Sequence, residues 1–140
     1  MSDADDMLAK ARSDLDMVRR AMTPPTDQNL EQAAYHIQQA AEKAVKALLI
    51  HLGIAYPRGG AKGHDIKLSA LLIPSGHRLH SDANALVSLT PWATAFRYLA
   101  DDPLTAPKIP TAKEIESWES KVKSFAVDVD AEILKAQATP

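Results

Sequence analysis

Apolar residues recur at spacings of three and four along most of this chain, and no stretch shows the sustained alternation of a strand. From about Asp3 to Met22, Leu8, Ala11, Leu15, Val18 and Met22 fall on one face, so the spacing predicts a helix. Asp3, Asp5 and Asp6 in its first turn and Arg19 and Arg20 in its last suit the helix dipole. Thr23-Pro-Pro25 ends it, because proline lacks the N–H donor and clashes backward. A second helix is predicted over about Asp27 to Leu52, where Leu30, Ala33, Ala34, Ile37, Ala41, Ala44, Val45, Leu48 and Leu52 form a stripe and Gly53 supplies the C-terminal cap. On another face, Tyr35, Gln39, Glu42 and Lys46 follow one another by four, three and four, an ordered polar row that faces either solvent or a partner.

Residues 54–63 hold three of the five glycines and read as a loop. A short helix is expected over about Asp65 to Ile73 with Leu68, Leu71 and Leu72 inward, ended by Pro74-Ser-Gly76. Ser81 has the character of an N-cap for the next helix, which reaches about Ala100 with a kink or restart at Thr90-Pro91. Leu86, Leu89, Ala93, Phe96 and Ala100 give its inward face, and Arg97 falls half-buried at the edge. After the proline-rich connector 101–110, Thr111-x-x-Glu114 is a capping box that opens a last helix with the seam Ile115, Trp118, Val122, Phe125 and Val129. Four main helices and one short one make an all-α, up-and-down bundle, a single domain over residues 1–140 with its core at about 5–136.

Composition agrees: twenty-four alanines and seven aromatics among 140 residues favour helix. The absence of cysteine removes disulfides, thiolate metal sites and a cysteine nucleophile together. A net charge of −2 argues against broad electrostatic capture of nucleic acid. No segment approaches the roughly 20 apolar residues of a membrane span, and the acidic start is unlike a signal peptide. The expectation is a soluble, cytoplasmic protein. Charge is uneven, however: residues 56–80 carry Arg58, Lys62, Lys67 and Arg78 against Asp65 alone, a local +3 in a chain of −2.

The second helix, His36-Ile-Gln-Gln-Ala-Ala-Glu42-Lys43-Ala-Val-Lys46, followed by Gly53, His64-Asp-Ile66, Leu71-Leu72 and Arg97-Tyr98, resembles the HEPN family, the higher eukaryotes and prokaryotes nucleotide-binding domains. The resemblance implies a helical bundle, commonly a homodimer, often paired with a minimal nucleotidyltransferase in prokaryotic toxin–antitoxin or defence systems. Many members are metal-independent ribonucleases whose motif is an Arg followed four to six residues on by His. This sequence departs from it: Tyr98 to Leu104 contains no histidine, and Asp101 and Asp102, ionised at neutral pH, are poor proton donors. Arg58 and His64 reproduce the spacing, but in a glycine-rich loop that does not hold two side chains with the precision proton transfer needs.

The same loop, Pro57 to His64, has the makings of a backbone nest for phosphate with Arg58 and Lys62 adding charge, although it lacks the Gly-Lys-Ser/Thr ending of a Walker loop, and an ordinary connector is the favoured reading. His77-Arg-Leu-His80 has ligand-like spacing without a third ligand, so no metal and no cofactor is expected. His36, beside Ile37, is expected to be a hydrogen-bonded structural imidazole. Arg97 needs an anionic or carbonyl partner, either Glu42 or another inward carboxylate or else a bound anion. The ligand candidates are therefore Arg97, Tyr98, Arg58, Lys62, His64, Lys67 and Arg78, and the partner-facing ones Tyr35, Gln39, Glu42 and Lys46. The leading expectation is a binding module for a nucleotide, RNA phosphate or nucleotidyltransferase-type protein, without nuclease activity. The alternatives are a ribonuclease toxin with a site rebuilt around Arg97 and a purely structural dimerisation module.

Overall fold

The computed structural model describes residues 2–57, 65–92 and 109–138, and every regular element among them is helical. Helix α1 spans Asp3–Ala21 and opens on a reciprocal capping box: Asp5 N–H donates to Ser2 Oγ at 3.1 Å, and Ser2 N–H donates to Asp5 Oδ2 at 3.1 Å. That backbone donor also holds the Asp5 carboxyl below its ordinary range. Leu8, Ala11, Leu15 and Val18 are buried as the spacing requires, with Met22 half-buried at the C-cap.

Helix α2 covers Leu30–Leu52, starting three residues later than Asp27 because Asn29 is the N-cap and accepts from Gln32 N–H at 3.1 Å. Asn29 N–H also donates to the Ala21 carbonyl at 2.7 Å, which ties the start of α2 to the end of α1. Gly53 closes α2 at φ 73°, a left-handed cap that a side chain would strain. Fourteen of its 23 residues are buried, including the unbroken run from Ile37 to Glu42. A single stripe cannot bury consecutive residues; this helix is covered around most of its circumference and forms the centre of the bundle. Its alanines, among them Ala33, Ala40, Ala44 and Ala47, are fully buried and let neighbours approach closely.

The third element departs from expectation. Helix α3 is only Ile66–Ala70, capped by Asp65, whose side chain accepts from Lys67 N–H at 2.9 Å. Ile66, Ala70 and Ile73 face the core, whereas Leu71 is 59% exposed and Leu72 39% exposed. The helix closes before those leucines, so they follow a turn rather than the 100° step that had placed them inward.

Helix α4, His80–Ala85, begins ahead of Ser81, and its entry is fixed by His77 instead: Leu79 N–H donates to His77 Nδ1 at 3.0 Å and His80 N–H to the His77 carbonyl at 3.0 Å. The backbone first tightens into a 3₁₀ turn over Leu86–Leu89, and the expected restart follows at Thr90-Pro91, a turn after which Trp92 is helical again. Three residues per turn bring Leu86 and Leu89 onto one side, and both are buried. Ala93, Phe96, Arg97 and Ala100 lie outside the described residues. Helix α5, Ala112–Ala138, opens on the Thr111–Glu114 capping box, with Glu114 N–H donating to Thr111 Oγ1 at 3.1 Å. Ile115, Val122, Phe125 and Val129 are buried, joined by Ala126 and Ile133, while Trp118 is half-buried. The architecture is the expected all-α bundle, with α1, α3, the 3₁₀ turn and α5 packed around α2.

Candidate binding site along the second helix

The polar row on α2 is interior. Gln39, Glu42 and Lys46 are all buried, together with Gln38, which the four-three-four spacing passes over. Polar atoms in such a place need partners, and they find them along the helix. Gln39 Nε2 donates to Gln38 Oε1 at 2.7 Å, Gln38 Nε2 to Glu42 Oε2 at 3.2 Å, and Lys46 Nζ to Glu42 Oε1 at 2.7 Å. Both carboxylate oxygens of Glu42 are therefore engaged, one by an amide and one by an ammonium group. Lys46 also sits over the Tyr56 ring, 5.5 Å from its centre. The reading of this row as a solvated face is overturned. Tyr35, half-buried beside His36 with the two rings edge to face at 5.1 Å, is the member of the row with surface to offer a partner.

A second cluster joins α2 to α1. Asp14 is buried on α1, and its two oxygens receive His36 Nδ1–H at 2.8 Å and Lys43 Nζ at 2.5 Å. The expected structural imidazole at His36 is found here. Asp14 itself escaped notice, although its position between Ala11 and Val18 puts an acid on the apolar face of α1, which was the available signal.

Of the ligand candidates, Lys67 is exposed on α3. Arg78 is engaged: its Nε donates to the Glu132 carboxylate of α5 and its Nη2 to the Asp128 carbonyl at 3.4 Å. The guanidinium holds the Glu132 carboxyl below its usual range, and the carboxylate raises Arg78 above its own. Arg58, Lys62, His64, Arg97 and Tyr98 lie outside the described residues, and so does the expected meeting of Arg97 with Glu42. His77 and His80 are both locally bonded, His77 as the turn acceptor described above and His80 through Nδ1–H to the Ile73 carbonyl at 3.0 Å. Among the described residues no three His, Asp or Glu side chains gather as a metal site, and no helix is long and apolar enough to cross a membrane.

No curated protein and no solved structure matches the chain. The match that stands is to a family of helical, nucleotide-binding and ribonuclease-type domains, and it runs over residues 4–128, from the first turn of α1 to the fifth turn of α5. With that coverage and an all-helical bundle centred on the Gln-Gln-x-x-Glu-x-x-x-Lys helix, the chain belongs to the HEPN domain family.

Proposed function

We propose that this chain is a HEPN-type binding module without nuclease activity, and that its partner is a protein of the nucleotidyltransferase type, within a toxin–antitoxin or defence pair in the cytoplasm. The observation that carries the choice of a protein over a phosphate is the internal pairing of the cations. Lys43 faces Asp14, Lys46 faces Glu42 and Arg78 faces Glu132, so these three cations are committed to this chain's own carboxylates. The Arg78–Glu132 pair offsets one charge of the local excess over residues 56–80. The absence of a histidine between Tyr98 and Leu104, or anywhere after His80, supports the loss of cleavage.

The chain is expected to purify from its own cells with a stoichiometric nucleotidyltransferase-type protein, and to sediment as a homodimer when alone. Incubated with structured RNA in the absence of metal, neither the wild type nor Arg97→Ala is expected to cleave. Cleavage that disappears in Arg97→Ala, with circular dichroism unchanged, would establish a ribonuclease with a site rebuilt around Arg97. Thermal stabilisation by a nucleotide or RNA, worth about 2.7 kcal/mol at 100 times the dissociation constant, would move the reading to phosphate binding through Lys67 with Arg58, Lys62, His64, Arg97 and Tyr98. A dimer with neither a partner nor a ligand would leave a structural dimerisation module.

A further inference from the structure

Helices α1 and α5 run antiparallel, and their facing edges meet at intervals of seven residues. At one end Gln137 Nε2 donates to Asp5 Oδ2 at 3.2 Å. Seven residues along, Arg12 meets Asp130 at 3.1 Å. Seven further, the same register brings Arg19 and Lys123 to the two walls of one cavity of about 280 Å³, which Arg12 borders on the side of the preceding rung. Two rungs of complementary groups are thus followed by one of like charge. Asp16 holds Arg19 at 3.4 Å, but both side chains are largely exposed and such a pair yields readily to a competing carboxylate. Lys123 has no ion-pair partner among the described residues. Between the two cations the floor is apolar: Leu15 and Ala126 are buried beneath it and Val127 is 65% exposed. Leu134, one further heptad along α5, is also exposed and continues the strip.

We propose that this groove takes an acidic amphipathic helix of the protein partner, with a carboxylate set between Arg19 and Lys123 and an apolar side chain laid on Leu15, Ala126 and Val127. The assignment rests on the partner-protein reading above and adds to it a location and a chemistry. A carboxylate is what the third rung lacks, since the first two rungs each pair an acidic group with a donor. From Lys123 to Leu134 the strip runs about 16 Å, three helical turns, which matches the i, i+3/i+4, i+7 anchors of a helix lying in a groove. A nucleic-acid strand fits less well, because no aromatic ring lines the groove to stack a base.

The test uses the full chain and a fluorescent peptide of about 18 residues, five turns of helix, with leucine on one face and glutamate flanking it. Its lysine counterpart and a labelled oligouridylate serve as comparisons. The glutamate peptide is expected to bind at least about tenfold more tightly than the lysine peptide, and to lose about tenfold in Arg19→Glu/Lys123→Glu and in Val127→Asp. All these positions are exposed in the free chain or at its rim, and thermal melts confirm that each variant is folded. Equal binding of the two peptides, undiminished binding to the variants, or an oligouridylate that binds more tightly and is lost in the same variants overturns the proposal. Co-purification is scored separately: a partner protein retained by Arg19→Glu/Lys123→Glu overturns the groove alone, whereas the lack of any partner for the wild type overturns the reading beneath it.

Discussion

Arg78, in the turn ahead of α4, donates its Nε–H to the carboxylate of Glu132, 54 residues later in α5, and so joins two parts of the chain that share no covalent neighbour. Because the pairing depresses the Glu132 carboxyl, it contributes stability that is present above the unfolded carboxylate value and lost as pH falls through the folded one. The Arg78 shift acts in the opposite direction and far above neutrality, outside any working range. Glu132→Gln is expected to lower the melting temperature at pH 7, with the difference from wild type shrinking as pH falls below the ordinary carboxylate range. Paired thermal melts across that range check it, and a difference that persists at low pH would assign the effect to packing.

Asp14 is expected to matter more than its single charge suggests. Asp14→Ala removes the acceptor of both His36 and Lys43 at once, and a cost of about 1.5–3 kcal/mol is expected for charged hydrogen bonds of this kind. His36→Ala, which leaves the Lys43 contact in place, should cost less. Urea denaturation of both variants gives the ranking directly.

Removing the carboxylate from the α2 row is expected to be costlier still. Glu42 and Lys46 have side chains 5% and 11% exposed, so Glu42→Ala leaves an ammonium group in a nearly dry setting after deleting the carboxylate it donates to. Breaking a buried pair from one side costs about 3–5 kcal/mol. A loss no larger than that of Asp14→Ala would mean that the Lys46 charge is satisfied without Glu42.

The two leucine classes offer a plain comparison. Leu48→Ala, on the fully buried side of α2, is expected to cost about 2–5 kcal/mol, whereas Leu71→Ala, exposed past the end of α3, should stay within about 0.5 kcal/mol. Equal costs would place Leu71 in an interface.

The long helices were legible because each carries several turns of periodic residues and a chemical end mark: Asp3, Asp5 and Asp6 for α1, Gly53 for α2, Thr111 and Glu114 for α5. The short ones were not. In a helix of five residues the period has no room to declare itself, so the helical step that placed Leu71 and Leu72 inward was carried past the end of the helix, and they point outward. The α2 row was seen, but its setting was not, since a polar side chain at helical spacing looks the same against water as against a neighbouring helix. Gln38, absent from that row, is fully buried and donates to Glu42. Partners far apart in the chain, such as Asp14 with Lys43 or Arg78 with Glu132, leave no mark in local spacing at all.

The near-complete enclosure of α2 bears on how such a chain diverges. A helix with fourteen of 23 positions inside can exchange residues only in concert with the helices that surround it, and its Gln-Glu-Lys chain of hydrogen bonds forbids rotation by even one position without stranding a polar group. Outer helices with one wet face can drift freely on that face. Kinship is then preserved longest in the central helix, and two descendants that no longer resemble each other elsewhere should still be alignable there.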